Sequence, residues 1–200
     1  MMKAKNVILY ILSGILFISY LAVMAISLDT SRATDAYRLY YVDKKVKYYL
    51  SQKDLEKKFC ADRKFVFTSD YNPLNLGNGW GDPEPDATWI LGKSGDVFVY
   101  VTHPERDYRI KLEISQVMSY ENDLYINDVL IGKVEPDEQG NVEYQVPAGI
   151  LTEGVNKITI RTDSEVYPLN YINPDATDNR RLNIYVRSLI LSSAPEWSQI

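Results

Sequence analysis

Two hydrophobic patterns divide the chain. From Asn6 to Leu28 there is no charged residue, and residues 7–27 read VILYILSGILFISYLAVMAIS. Such a run is long enough to cross a bilayer as a helix, for which about 20 apolar residues suffice. From Lys64 onward the period changes to two. Tyr108, Ile110, Leu112 and Ile114 alternate with Arg109, Lys111, Glu113 and Ser115, the pattern of a strand with one buried and one wet face. Val97, Val99 and Val101 alternate with Phe98 and Tyr100, and Val142, Tyr144 and Val146 alternate ahead of Pro147. Residues 124–127, 129–134, 156–161 and 182–191 add further strands, with Asn127-Asp128 as a tight turn between the first two. Turn residues punctuate the set at Pro136-Asp137, Gln139-Gly140-Asn141, Pro147, Gly149, Gly154 and Asn173-Pro174. About seven or eight short strands with no helical pattern between them predict an all-β fold, a jelly-roll β-sandwich.

Between these regions the pattern is mixed. Leu39, Val42, Val46 and Tyr49 recur at helical spacing, and Ser51-Gln-Lys-Asp54 has the form of a capping box opening a short helix. The expected organisation is a cytoplasmic stub and transmembrane anchor over 1–28, a short helical stalk or collar over 29–63, the jelly-roll sandwich over 64–191 and a tail over 192–200. The tyrosines and lysines of 37–49 suit lipid headgroups. A surface helix packed on the domain fits the same spacing equally well. Trp197, in the tail SSAPEWSQI, either packs back onto the body or is offered to a partner.

Charge orients the anchor. Lys3 and Lys5 precede the apolar run and Asp29 follows it, which predicts a cytoplasmic N-terminus and an exported body; Lys44, Lys45 and Lys47 reduce the contrast. A cleaved signal peptide is the competing reading, with small-residue sites at Ala22–Ala25 and Ala25–Ser27. Its apolar core normally spans about 7–15 residues, however, and this run is longer. The only cysteine, Cys60, lies far downstream of a lipoprotein position and excludes an internal disulfide. About 170 residues beyond the anchor are enough for one domain to stabilise itself with its own core. With 22 basic and 27 acidic residues the net charge is −5, which disfavours nucleic-acid binding, where many phosphates must be neutralised. Sixteen tyrosines against five phenylalanines suit wet, half-buried surfaces, although β-propensity explains most of them.

Two segments carry residue types in spacings that packing alone rarely demands: GWGDPEPDATWILG over 79–92 and DNRRLN over 178–183. With these motifs the chain resembles the jelly-roll, carbohydrate-binding-module-like domain found at the ends of bacterial polytopic membrane glycosyltransferases and phosphoglycerol transferases of surface-polysaccharide assembly. The opening motif of that family, Gly-Trp-x-x-Pro-Glu-x-x-x-x-Trp-x-x-Gly, is met by Gly79, Trp80, Pro83, Glu84, Trp89 and Gly92. Its closing motif, Asp-x-Arg-x-Leu-Gly, is met by Asp178, Arg180 and Leu182, and its central Asn-Gly turn is matched in part by LYINDVLIG. Asp128 replaces the turn glycine and Asn183 the closing glycine. Both residue types tolerate left-handed backbone, so the fold is little threatened, but a site needing bare backbone at Asn183 is put in doubt. The resemblance spans roughly residues 64–191 and implies a bacterial cell (inner) membrane, with the body periplasmic or extracellular.

Chemically, Trp80 and Trp89 offer a stacking platform for sugar rings, while Glu84, Asp178 and Arg180 offer planar, charge-assisted hydrogen bonds to hydroxyls. The structural alternative makes the tryptophans core plugs and the Asp–Arg pair a brace between strands. No cofactor is implied and no metal site is expected. A calcium ion among Asp82, Glu84, Asp86 and Asp178 is the variant that hard-cation chemistry allows, but no regular ligand spacing supports it. His103, the only histidine, precedes Pro104 at a strand end, and no nucleophile–base or phosphate-loop motif is visible. A glycosidase needs only two carboxylates, yet no acidic pair here stands out from solvated surface. The sequence reading is therefore non-catalytic: a membrane-anchored glycan-binding module assisting surface-polysaccharide or lipopolysaccharide assembly, whose partners are the lipid bilayer and a glycan or lipid-linked saccharide. The alternative is a structural accessory subunit docking on a polytopic membrane glycosyltransferase, with Trp80, Tyr100 or Trp197 as interface anchors.

Overall fold

The computed structural model describes residues 4–71, 73–118 and 120–193; Lys3 and the tail with Trp197 lie outside the described residues. The chain forms two compact units, Met1–Thr34 and Asp35–Ile200. In the first, helix α1 spans Ala4–Leu28, and its Asn6–Leu28 portion, with mean hydropathy 2.4, is long and apolar enough to cross a membrane. Ser19 and Ser27 donate to Ile15 O at 2.9 Å and Val23 O at 2.8 Å, so both hydroxyls are satisfied within the helix itself. Asp29 caps the 3-10 turn Thr30–Arg32 by accepting from Ser31 N.

The second unit is a β-sandwich, as the alternating pattern predicts. One sheet holds β1 (Arg63–Val66), β2 (Thr88–Leu91), β4 (Tyr108–Val117), β7 (Asn141–Val146) and β9 (Leu182–Ser193). The other has the order β3 (Ser94–Val101), β8 (Gly154–Arg161), β5 (Asp123–Ile126) and β6 (Val129–Lys133). All pairings are antiparallel. Strand β9 lies inside its sheet: β4 runs along one edge, while β1 and β2 share the other, Phe65 opposite Leu189 and Trp89 opposite Tyr185. Alternate residues of each strand meet between the sheets, with Val97, Val99, Ile110, Leu112, Leu124, Ile126, Ile158, Ile160, Ile184 and Val186 in one continuous core. Burying this apolar surface is the main drive for folding, at about 25 cal/mol per Å² removed from water. Asn127 (φ 48°) and Asp128 (φ 66°) make the left-handed turn between β5 and β6, so aspartate does accept the geometry usually given to glycine.

Residues 35–63, read from the sequence within a stalk or collar, belong to this second unit and pack on it. Short helix α2 (Asp35–Tyr37) runs into a π-helical turn (Arg38–Val42), and α3 spans Gln52–Lys58. Ser51 caps α3 by accepting from Asp54 N at 3.1 Å, as the capping box predicts. Ala36, Leu39, Val46, Leu50 and Leu55 form a second core with Phe98, against Tyr100 and Val155. This is the outer face of the β3–β8 sheet, because Phe98 alternates with the inward Val97 and Val99. The helical spacing of 39, 42, 46 and 49 does not persist: the helix stops at Asp43, Val42 and Tyr49 are exposed, and Val46 bridges to Gly77. The chain just after α3 and the loop at 75–77 shield the free edge of β3, for Tyr100 N donates to Phe59 O at 2.8 Å, Phe98 N to Asn75 O at 3.0 Å and Gly77 N to Asp96 O at 2.8 Å.

Gly79 and Gly92 both adopt left-handed φ, 87° and 81°, but their surroundings differ. A β-carbon on Gly79 would lie 1.7 Å from Ser94 O, whereas one on Gly92 would meet nothing within 4 Å. Gly92→Ala should therefore cost only the about 1–2 kcal/mol of left-handed backbone, while Gly79→Ala should cost several times more or prevent folding. Thermal unfolding of the two variants checks this; equal losses would refute it.

Candidate functional site

The segment 79–92 folds as a tight hairpin. Leu91 N donates to Gly79 O at 2.7 Å and Gly81 N to Trp89 O at 2.9 Å, with Glu84 N donating to Ala87 O at 3.0 Å in the turn. Trp80 sits opposite Ile90, and both enter the core between the sheets. Side chains alternate along a strand, so Trp89, one position from Ile90, projects from the other face. The two indoles therefore lie on opposite sides of the sheet and form no joint platform, and Trp89, 7% exposed under Tyr185, offers no open face to a sugar ring.

Trp80 is core. It is 9% exposed, its ring packs on Phe67 with centroids 5.4 Å apart, and its Nε1 donates to Asp96 O at 2.7 Å. The recess it borders, beside the Lys47–Asp82 ion pair, has only about 70 Å³, well below the volume of ligand sites. Of the two readings open for Trp80, stacking platform and core plug, the structure has the core plug, because pairing with Ile90 turns the indole inward. Tyr100 is likewise half-buried against the helical segments rather than exposed as an interface anchor.

The remaining four predicted residues converge. Across from Trp89, Tyr185 of β9 stacks on the indole, with centroids 4.6 Å apart and planes 19° apart. The Tyr185 hydroxyl donates to Glu84 Oε2 at 3.1 Å, and Arg180 Nη1 donates to Glu84 Oε1 at 2.9 Å. Arg180 also grips Asp178, from Nε at 3.1 and 3.0 Å and from Nη2 at 2.7 Å. Asp178 further accepts from Arg180 N at 2.9 Å. One guanidinium thus joins the hairpin turn to the segment leading into β9. The side chains of Arg180, Glu84 and Asp178 remain 41%, 34% and 29% exposed. Arg180 uses three of its five N–H groups on these carboxylates and keeps two.

Electrostatics follow the contacts. Hydrogen bonds from Arg180, side chain first and backbone second, hold the Asp178 carboxyl below its usual range. The same bonds, to Asp178 and then Glu84, raise the Arg180 pKa. Burial, followed by the bond to Glu84, pushes the Tyr185 phenol up. Three of the four acids considered for calcium are engaged otherwise, Asp82 with Lys47, and Glu84 and Asp178 with Arg180. Among the described residues no group of three or more His, Cys, Asp or Glu side chains is gathered as a metal site.

Tyr185 was not singled out by the sequence; only the register of β9 against β2 places it on Trp89. Asn183 is also explained by partners: fully buried, it exchanges amide hydrogen bonds of 2.9 and 3.0 Å with Asn122. A cleft of about 320 Å³ opens elsewhere, between the helical segments and the outer face of the β3–β8 sheet, lined in part by Arg38, Phe98 and Lys157.

The family described as "Beta-galactosidase second all-beta domain" matches residues 84–166, from the hairpin turn past the end of β8. A search of the curated proteins finds no match. Among solved structures, the chain is similar to a family 35 carbohydrate binding module from Clostridium thermocellum, at 12% identity and TM-score 0.36, over 66% of this chain and 99% of that one. It is similar to CBM35 from Paenibacillus barcinonensis at 12% identity and TM-score 0.34, over 66% and 89% of the two chains. A third similar structure is Xyl-CBM35 in complex with a glucuronic acid containing disaccharide, at 10% identity and TM-score 0.33, over 70% and 92%.

Two outcomes follow from the geometry. Trp80→Ala should destabilise the sandwich by about 3–5 kcal/mol, the usual cost of emptying a buried aromatic site; a loss below 1 kcal/mol in denaturant unfolding would return the indole to the surface. The lowered Asp178 pKa means that its stabilisation is present above the unfolded value, about 3.9, and is lost as pH falls through the folded value. The difference in melting temperature between wild type and Asp178→Asn should thus be larger near neutral pH than at about pH 2.

Proposed function

We propose that the sandwich is a non-catalytic glycan-binding module, held by α1 at a bacterial cell membrane on its exported side, that assists surface-polysaccharide or lipopolysaccharide assembly. The observation that carries the reading is the Glu84–Asp178–Arg180 cluster beside the Trp89–Tyr185 stack. Residues far apart in the chain converge on one partly exposed guanidinium that keeps two N–H donors free. The acids around it keep lone pairs for sugar hydroxyls, and hydrogen bonds to ionised groups are stronger than neutral ones. The apolar span of α1 supports anchoring.

The accessory reading draws on a different surface. Between β8 and β9, the rings of Tyr167 and Tyr171 stack with centroids 4.9 Å apart, and both are exposed together with Ile172. Exposed aromatic groups of this kind suit a protein interface, here a polytopic membrane glycosyltransferase.

Arg180→Lys keeps the charge but loses the planar fork. With the full chain in nanodiscs on a glycan array, this variant should weaken saccharide capture at the cluster about tenfold or more, while its β-sheet circular dichroism at the assay temperature stays that of wild type. Absence of saccharide binding by the wild type, with a glycosyltransferase recovered on pull-down from native membranes, would replace the module reading by the accessory one.

A further inference from the structure

We infer that the cleft between the helical segments and the outer face of the β3–β8 sheet is a second saccharide site, one that accepts a neutral sugar ring; this rests on the glycan-binding reading above. The cleft, about 320 Å³, falls within the range of small-molecule sites. Its floor is the buried Leu39 of the π-helical turn and Phe98 of the sheet, and the half-buried Val155 of β8 gives its accessible apolar surface.

Charge in the cleft is balanced and unevenly used. Lys45 pairs with Asp43 at 3.7 Å, and Lys157 with Asp128 at 2.7 Å. Arg38 and Asp35, which also line it, make no side-chain hydrogen bond or ion pair among the described residues. The cleft is therefore mainly polar and presents one open guanidinium fork and one open carboxylate beside the apolar surface of Val155. A phosphate or a nucleotide would meet the three acids and gain no net attraction. A neutral sugar ring matches all three elements: its hydroxyl oxygens accept from Arg38, its hydroxyl protons go to Asp35, and its C–H face lies over the half-buried Val155.

The site also depends on a feature outside the span 84–166 matched by the family. Asp35, Arg38 and Leu39 belong to the segment that packs on the sheet through Ala36, Leu39 and Phe98. Without that segment the outer sheet face would be flat and open.

The test uses the full chain in nanodiscs, screened on an array of neutral, uronic-acid and phosphorylated saccharides, with the strongest binder then titrated calorimetrically. The expected result is a neutral saccharide bound at two sites by the wild type. One of these should survive Arg180→Lys and be weakened about tenfold or more by Arg38→Ala or by Asp35→Asn, equivalent to losing a charge-assisted hydrogen bond. Because neither side chain makes a hydrogen bond or ion pair among the described residues, thermal unfolding should be unchanged in both variants. Saccharide binding insensitive to both substitutions, in the wild-type and Arg180→Lys backgrounds alike, would overturn the cleft site and leave the module reading standing. Selection of acidic or phosphorylated saccharides alone through Arg38 would overturn the ligand class. No binding to any saccharide would overturn both readings.

Discussion

The pairing of β9 on both of its edges is the constraint on which the sandwich depends. Its residues Leu182–Ser193 take β4 on one side and share the other between β1 and β2. A strand placed last in the sheet order of synthesis thus closes the backbone hydrogen bonds of three earlier ones. Its inward Ile184, Val186, Leu189 and Leu191 are all fully buried. Those contacts have large sequence separation, so the loop-closure entropy is met before the core rewards it. On its outer side Ser188 donates to Glu113 at 2.8 Å, and Lys64 reaches the same carboxylate from β1. Ion pairs of this exposure contribute modestly; the apolar side of the strand carries the stability.

The candidate cluster is a consequence of that register. Tyr185 lies opposite Trp89 because β2 meets β9 there, and the chain just before β9 brings Asp178 and Arg180 to the hairpin turn. The arrangement is both brace and open donor set. One N–H of Arg180 and the Tyr185 hydroxyl bind Glu84 and so hold the turn to β9, two further N–H groups fix Asp178 within its own segment, and the Trp89–Tyr185 stack sits beside them, while part of the guanidinium faces water. The same parity that creates this cluster removes Trp80 from it.

The helical segments at 35–58 solve a separate problem. Phe98 and Tyr100 project from the outside of an edge strand, and uncovered they would leave apolar surface beside unpaired backbone groups, a template for association. Leu39, Leu50 and Leu55 cover the rings, and the backbone at Phe59, Asn75 and Gly77 takes up the edge hydrogen bonds. Where this cover ends short of the Asn127-Asp128 turn, the polar cleft remains.

By itself the sequence determined what short-range chemistry controls. The uncharged run of 6–28 specifies a long apolar helix, period-two alternation specifies strands and their inner faces, Ser51 specifies a helix start, and Asn127-Asp128 specifies a left-handed turn. The residues Glu84, Asp178 and Arg180 were also legible, through the fixed spacing of the two motifs that hold them. Tertiary structure decided the rest. Which tryptophan faces the core depends on Trp80 pairing with Ile90 rather than Trp89, a one-residue register that no local pattern records. Tyr185 gained its place from a partner strand nearly a hundred residues away in sequence, and the helical spacing of 39–49 was broken at Asp43 because Val46 found a strand partner in Gly77. Local propensity proposes such elements, but the contacts that fix their faces are made only when distant segments meet.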